Sequence, residues 1–269
     1  MIVRRAPLAL LLSLLPILFV AAPAAAQCVS LTTLASPSTQ NFNGLTSTPA
    51  TNIAWTDNST LAGWYATRTT FNAGIGNSNT GAMYDFGVAG VNAVTDRALG
   101  GVGSGGTGTF YWAACFTNNT GSALSSVDLA YVGEQWRDGG AATPVSQTIA
   151  VEYQVAAGGT ITDADTPTTG WLAASALDFV SPTFTNTGAG IQLDGNAAAN
   201  RTAKAATITV PVPVGNQFWI RWRDLNDAGN DHGLSVDDFS ITPQGGGNAA
   251  VIPNCPSPLT TNVGTATSP

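Results

Sequence analysis

Beyond residue 27, apolar and polar positions alternate with a period of two. No apolar pattern with the helical period of about 3.6 residues extends over more than two turns, and a period of two is typical of β-strands that bury one face. The clearest runs place three sets of residues on inward faces: Ile149, Val151, Tyr153 and Val155; Phe218, Ile220 and Trp222; Val127, Leu129 and Tyr131. The sequence therefore predicts an all-β domain with these residues in its core.

Turn-forming stretches rich in glycine and asparagine, such as 72–81 and 100–108, separate these runs. About ten short strands in roughly 215 residues are typical of one large two-sheet sandwich. We therefore predict a single antiparallel jelly-roll domain over residues 27–242. Pro211 and Pro213 cannot donate to a ladder, which places their strand at a sheet edge. The Gly-, Pro-, Ser- and Thr-rich segment 243–269 is predicted to be a linker or the start of a truncated further module.

The N-terminal segment predicts export. Arg4 and Arg5 precede an apolar run over residues 8–20, and small residues follow at 24–26. This order is typical of a secretory signal peptide, here residues 1–26. The apolar run is shorter than the roughly 20 residues that span a bilayer, so no membrane span is expected after the signal is removed. The predicted location is secreted or extracellular.

The charge balance excludes some ligand classes. Nine Lys and Arg face 16 Asp and Glu, and the formal net charge is -7. A phosphate backbone is bound through a basic face, so we expect no nucleic acid to be bound by this domain alone. His232 is the only histidine, which excludes multi-histidine metal sites and leaves one centre for a Ser-His-Asp arrangement.

Three cysteines follow the signal peptide, an odd number. Cys28 and Cys255 bracket the domain, and we hypothesise that they join its ends in an oxidising compartment. Cys115 lies in an aromatic strand with no histidine nearby. It is predicted to be a buried thiol.

The densest acidic segment, 222–239, carries oxygen ligands of the kinds that calcium prefers. If the loop folds back, the candidate ligands are Asp224, Asn226, Asp227, Asp231, Asp237 and Asp238. The spacing departs from an EF-hand, because Ala228 and Ser235 stand where ligands are required. An Asx-rich turn between two strands is an equal alternative.

Asp237 and Asp238 fall on opposite faces of a predicted strand, so one of them is buried with its face. A buried carboxylate needs a cation or an arginine beside it. Arg221 and Arg223, on the preceding strand, are the nearest arginine candidates. An internal salt bridge therefore competes with a metal.

Aromatic and charged residues also suggest a sugar-binding surface, because an indole face can stack on a sugar ring while charged neighbours bind its hydroxyls. The candidate binding residues are Glu134, Trp136, Arg137 and Trp219. The alternative is that Trp136 closes an edge of the core. Glu134 and Glu152 are the only glutamates, and a retaining glycosidase needs two carboxylates about 5 to 5.5 Å apart. This reading is the least favoured, since neither lies in a glycosidase motif.

Five motifs together carry a family resemblance: 133–137, 177–179, 193–196, 218–222 and 231–239. They resemble a β-sandwich module of secreted bacterial proteins, found in surface proteins with sorting signals and upstream of catalytic domains in large extracellular nucleases. The last motif is also similar to the closing strand of MAM-type jelly rolls, which mediate adhesion. The resemblance covers roughly residues 42–242 and implies export and a jelly-roll fold, but it supplies no catalytic residues.

The sequence thus favours a secreted, non-catalytic binding or adhesion module whose partner is a glycan or a cell-surface component. A calcium ion or a buried Asp-Arg pair would stabilise it. One alternative is an accessory N-terminal module of an extracellular nuclease or phosphodiesterase whose catalytic domain is not in this chain. The other is a glycosidase that uses Glu134 and Glu152.

Overall fold

The computed structural model describes residues 27–87 and 96–246. This part of the chain contains sixteen β-strands and two short 3-10 helices, at Ser175–Leu177 and Ala198–Asn200. The strands are β1 (Val29–Leu31), β2 (Ser38–Gln40), β3 (Ala50–Ala54), β4 (Trp64–Ala66), β5 (Thr70–Gly74), β6 (Ala82–Gly87), β7 (Arg97–Val102), β8 (Phe110–Asn118), β9 (Leu124–Asp138), β10 (Thr148–Ala156), β11 (Leu172–Ala173), β12 (Phe179–Val180), β13 (Ile191–Gln192), β14 (Arg201–Val212), β15 (Gln217–Asp224) and β16 (Gly233–Gly245).

The strands form two sheets, which we call the small sheet and the large sheet. The small sheet has the order β1-β8-β15-β10-β11, with β4 also paired to β8 and β12 to β10. The large sheet has the order β13-β9-β16-β7-β6-β5-β3, with β14 also paired to β9 and β2 to β16. Apart from β1 with β8 and β5 with β6, the described pairs are antiparallel. The predicted all-β, two-sheet sandwich is confirmed.

The main core lies between the two sheets, and its residues are those that the alternation placed inward. Val127, Leu129 and Tyr131 of β9 meet Ile149 and Val151 of β10 and the inward set of β15 in one buried cluster. Trp222 is at its centre: its ring stacks on those of Trp64 and Trp112, with centroids 5.5 and 6.4 Å away. Each such aromatic pair adds about 1 kcal/mol beyond the area that it buries.

Each sheet also has a second apolar layer on its outer face. On the large sheet, Trp136 stacks on Phe86, which stacks on Tyr84. On the small sheet, Trp219 packs with Tyr65 and with residues of the loop that follows β10. Both tryptophans are fully buried because chain segments outside the sheets lie over them.

The structure corrects the cysteine predictions. Cys28 forms a disulfide with Cys115, because β1 lies parallel to β8 with Val29 opposite Phe116 and the two cysteine Cα atoms are 4.7 Å apart. Cys115 is therefore not a free thiol, and Cys28 does not pair with Cys255. The latter lies outside the described residues.

The ends of the domain differ in part from the prediction. Strand β14, which carries Pro211, pairs only with β9 among the described strands, as expected at an edge. Strand β16 continues to Gly245, so the first residues of the predicted tail belong to the sandwich. The rest of that tail from 247 and the predicted signal peptide lie outside the described residues. No helix in the described part of the chain has the length and apolarity needed to cross a membrane.

Candidate functional site

A polar cleft of about 460 Å³ lies at the end of the sandwich where β9 finishes and the loop between β15 and β16 turns. Glycine backbone from 103–105 and 188–190 forms part of its wall. The polar side chains that line it are those of Asn79, Ser104, Arg137, Asn226, Asn230 and Asp231. The cleft thus presents amide, hydroxyl, carboxylate and guanidinium groups together.

Arg137 is held at the base of this cleft by close packing. Its Nη1 donates to the carbonyl of Gly76 at 3.4 Å, and its Nε is buried with no hydrogen-bond partner. A Cβ at Gly190 would lie 1.9 Å from Nη2, so a larger residue there would displace the guanidinium from its present position. Burial of the guanidinium lowers the pKa of Arg137, while Tyr84 and Asp138 oppose the shift.

Three carboxylates of the acidic loop lie beside the cleft. Asp231 Oδ1 accepts the backbone N–H of Asp227 at 2.8 Å. Asp224, at the end of β15, is buried, and its Oδ2 has no hydrogen-bond partner. Burial raises the pKa of Asp224 well above its ordinary value, and the charges of Asp231 and Asp227 add to the shift. These carboxyls lack a neutralising cation, since within residues 27–87 and 96–246 no ion pair reaches them.

The other two predicted calcium ligands, Asp237 and Asp238, lie elsewhere, because β16 starts at Gly233 and carries them along the large sheet. Asp237 is opposite Val132 of β9 and is buried, whereas the side chain of Asp238 is 57% exposed. Asp238 occupies a bulge with φ +48°. The six predicted ligands are therefore split between two places.

The arginines near Asp237 and Asp238 also differ from the prediction. Arg201 of β14 is the arginine beside Asp238, with Nη2 3.9 Å from Oδ2. Arg221 and Arg223 instead pair with Glu152 of β10, at 2.7 and 4.0 Å. The reason is topological: β15 belongs to the small sheet and β16 to the large sheet, so the loop between them crosses from one sheet to the other.

Glu134 is buried on the outer face of the large sheet, and neither carboxylate oxygen has a hydrogen-bond partner. Burial raises the pKa of Glu134 to about 9, and the charge of Asp237 adds to the shift. Burial likewise raises the pKa of Asp237 to about 7. Among the described residues, the guanidinium of Arg201 is the one that forms an ion pair with Glu134, with Nη2 3.9 Å from Oε1.

The structure corrects the predicted sugar-stacking surface. Trp136 and Trp219 are fully covered, so neither indole face is available to a sugar. A Cβ at Gly195 would lie 2.3 Å from the Trp136 ring, which shows how closely that segment covers it. The core-edge alternative for Trp136 is the correct one. Of the four predicted binding residues, only Arg137 lines the cleft.

The structure also excludes Glu134 and Glu152 as the catalytic pair of a retaining glycosidase. Glu134 lies on the large sheet, whereas Glu152 lies on the outer face of the small sheet, paired with Arg221. Packed sheets are about 10 Å apart, and these two side chains leave from opposite outer faces. The spacing of about 5 to 5.5 Å that a retaining mechanism needs is therefore excluded.

Sequence reasoning missed Asn79, Ser104 and Asn230 as members of the cleft. They come from separate loops: Asn79 and Ser104 lie in the glycine- and asparagine-rich stretches that predict turns, and Asn230 lies in the acidic segment that predicts a calcium loop or an Asx-rich turn. Within the described ranges, no three Asp, Glu, His or Cys side chains surround one point as a ready set of metal ligands. A metal beside Asp224, Asp227 and Asp231, or beside Asp237 and Asp238, would thus need carbonyl, amide or water oxygens as well.

No family model and no curated protein matches the chain. Among solved structures, it is similar to the K3 cleaved adhesin domain of Lys-gingipain from Porphyromonas gingivalis, at 14% identity and a TM-score of 0.36 over 76% of this chain and 99% of that one. It is similar to the CBM22-1 xylan-binding domain of Paenibacillus barcinonensis Xyn10C, at 9% identity and a TM-score of 0.33 over 80% and 99%.

A third similar structure is the Cry1Da tryptic core of Bacillus thuringiensis, at 6% identity and a TM-score of 0.31. That match covers 63% of this chain and 22% of the toxin chain, so the chain spans about a fifth of it. These likenesses are distant, and the fold class follows from the strand pairing itself. The resemblance to the secreted bacterial module of nucleases and surface proteins stays a prediction.

Proposed function

We propose that this chain is a secreted, non-catalytic binding module that holds a hydroxyl-rich ligand of the glycan class in the cleft at the loop end of the sandwich. The observation that carries the proposal is the mixed lining of the cleft. Sugar hydroxyls both donate and accept, and here a guanidinium and amides donate while a carboxylate and amide oxygens accept. A few such groups around a preformed concavity are typical of small-ligand sites.

Calcium at the acidic loop is part of this proposal. The donors are of the kind that calcium takes: Asp224 has an orphaned buried oxygen, and Asp227, Asp231 and the Asn226 amide are close in sequence and offer further oxygens. The ion would supply positive charge to three carboxylates that otherwise repel one another. Asp231 and Asn226 would then be held in place in the wall of the cleft.

The ligand experiment is calorimetric titration of the chain with soluble xylan, mannan and galactan, in calcium and in chelator. Asn79→Ala and Asn230→Ala each remove one cleft amide and should weaken binding about fivefold, the value of one hydrogen bond. Asn119→Ala, an exposed asparagine at the opposite end of the sandwich, is the matched control. Equal affinity of all three variants and the parent chain would overturn the placement of the site.

The calcium experiment is thermal unfolding in excess calcium and in chelator. Calcium held at 100 times its dissociation constant should stabilise the fold by about 2.7 kcal/mol. Asp227→Asn and Asp231→Asn should reduce the shift, whereas Asp165→Asn, on the covering loop of the small sheet, should leave it unchanged. A shift that survives both loop substitutions would remove calcium from this loop.

A further inference from the structure

Glu134 and Asp237 form a second acidic group, on the outer face of the large sheet and separate from the cleft. Glu134 of β9 is opposite Ser235 of β16, and Asp237 is two residues further along β16. Residues two apart on a strand share a face, so the two carboxylates are neighbours on one side of the sheet. The same face carries the hydrogen bond from Trp136 Nε1 to Ser235 Oγ, at 3.0 Å.

Both side chains are withdrawn from water, with 0% of Glu134 and 1% of Asp237 exposed. The two oxygens of Glu134 are buried and receive no hydrogen bond. Asp237 Oδ1 accepts one bond, from the N–H of Asp238 at 2.7 Å. An uncompensated buried charge costs several kcal/mol, so this arrangement requires a positive partner or a proton.

The described residues supply little of that positive charge. Arg201 is the guanidinium in reach, and it lies 3.9 Å from Glu134 and 3.9 Å from Asp238, so it is shared and beyond hydrogen-bond distance from both. Asp96, just before β7, adds a further negative charge near Glu134 and Asp237. One shared arginine thus faces four carboxylates.

Two other covered carboxylates of the sandwich, buried Asp85 and half-buried Glu152, are paired with arginine at short distance. Asp85 accepts from Arg97 Nε at 2.6 Å, and Glu152 accepts from Arg221 Nε at 2.7 Å. Each of these pairs is formed within one sheet, between adjacent strands. Each of these two carboxylates thus has an arginine at hydrogen-bond distance, whereas Glu134 has none among the described residues and both of its oxygens are orphaned.

We propose that Glu134, Asp237 and Asp96 bind a divalent cation of the calcium class on the outer face of the large sheet. The donors are all oxygens, which suits calcium and disfavours zinc, since zinc sites use nitrogen and sulfur ligands as well. The three carboxylates do not surround one point as they stand. Rotation of their side chains, with backbone carbonyls and water, would complete the six to eight ligands that calcium takes.

Such an ion would join three parts of the large sheet that are far apart in the sequence. Glu134 belongs to β9, Asp237 to β16, and Asp96 immediately precedes β7, so the ion would fix the order β9-β16-β7 from its outer side. The rival explanation is a carboxyl that stays protonated. A proton would neutralise Glu134 but would bind no calcium, which allows an experiment to separate the two.

The experiment measures the stoichiometry and affinity of calcium alone, by equilibrium dialysis of the chain. Glu134→Gln preserves shape and should remove one bound ion or weaken its binding at least tenfold. Asp96→Asn, at the half-buried edge of the group, should weaken the same ion and guards against a folding defect of the first variant. Glu152→Gln is the matched control and should bind as the parent chain does.

Stability gives a second readout, because the effect of Glu134→Gln on the free energy of unfolding should differ between chelator and saturating calcium. In chelator, Glu134→Gln should be no less stable than the parent, whereas in saturating calcium it should be less stable. If Glu134→Gln is the more stable protein in both conditions and calcium stoichiometry is unchanged, the carboxyl is protonated and the cation proposal is overturned. Asp231→Asn tests the acidic-loop site separately. If this variant loses the ion proposed for the loop, the ion proposed for Glu134 should still bind.

Discussion

The outer faces of the two sheets differ in how their carboxylates are paired with positive charge. On the small sheet, the Arg221 guanidinium lies between the rings of Tyr111 and Trp171, 4.3 and 4.0 Å from their centroids, and pairs with Glu152 at 2.7 Å. On the large sheet, Glu134 is more deeply buried than Glu152, and its two oxygens have no hydrogen-bond partner among the described residues. The chain has only two glutamates. Glu152 has a close ion pair, whereas Glu134 has no hydrogen bond to either carboxylate oxygen.

The difference lies in how closely the charge on each face is paired. On the small sheet, Arg221 has a counter-charge on the adjacent strand, Glu152, and two aromatic neighbours. A partly satisfied buried network is less stable than an apolar layer, so the carboxyl of Glu134 requires a proton or a positive partner.

The largest expected effect is that of the disulfide beneath the small sheet's outer layer. Cys28 and Cys115 close a loop over a sequence separation of 87 residues. Replacing both by alanine should reduce the free energy of unfolding by about 4 kcal/mol, mainly because the unfolded chain regains that loop's entropy. Urea denaturation measures the change, and the reduced parent chain is the control. A loss below about 1 kcal/mol would show that β1 contributes little to the sheet.

Arg221→Ala should destabilise the sandwich by about 3 kcal/mol. It leaves Glu152 without its close partner and removes the cation between two rings, although the partial exposure of Glu152 moderates the cost. Urea denaturation measures the change. Arg221→Lys keeps the charge but loses the planar stacking and should fall between the two proteins. If lysine restores full stability, the aromatic sandwich is not part of the network.

The two glutamates should respond to the same substitution with opposite signs in chelator. Glu152→Gln removes one side of a close ion pair and should lower the free energy of unfolding by about 2 kcal/mol. Glu134→Gln removes a buried charge that has no hydrogen bond, and stability should stay level or rise by about 1 kcal/mol. Paired thermal and urea unfolding measures both. Equal losses would show that Glu134 has a partner comparable to Arg221, and the comparison between the faces would fail.

The alternation of the sequence was enough to predict which residues share a face. Phe218, Ile220 and Trp222 point into the core, and Trp219 with Arg221 points away from it. What covers the outward residues was not predictable, because it is determined by segments without periodicity. Gly195 lies over Trp136 and the loop after β10 lies over Trp219, so the two tryptophans considered for a sugar-binding surface are both buried.

The errors in pairing have the same physical origin. Whether Cys28 meets Cys115 or Cys255 depends on β1 lying parallel to β8, a contact between strands far apart in sequence. The arginine beside Asp238 comes from β14, which reaches the group only through the register of β9. Sequence proximity favoured Arg221 and Arg223, but consecutive strands β15 and β16 belong to different sheets. Topology, which alternation does not encode, decides such partners.

The smallest expected effect concerns His232, at the cleft end of the large sheet, where a buried imidazole has polar neighbours on both ring nitrogens. His232 is buried, with Nδ1 3.1 Å from Gln135 Nε2 and Nε2 3.6 Å from Asp138. Burial lowers the pKa of His232, and Asp138 opposes the shift only in part. The unfolded chain therefore takes up the proton more readily than the folded one. The contribution of His232 to stability is present above its unfolded pKa of about 6.5 and is lost as the pH falls below it.

As the only histidine, His232 gives a single pair of imidazole resonances, and their NMR titration should show a midpoint below 6.5. His232→Gln should make unfolding less sensitive to acid between pH 7 and pH 5, by less than about 1 kcal/mol. A midpoint above 6.5 would mean that Asp138 stabilises the imidazolium more than burial penalises it. His232 and Asp138 would then form a stabilising ion pair at this end of the large sheet. The shortage of positive charge on that sheet would then concern only Glu134 and the carboxylates near it.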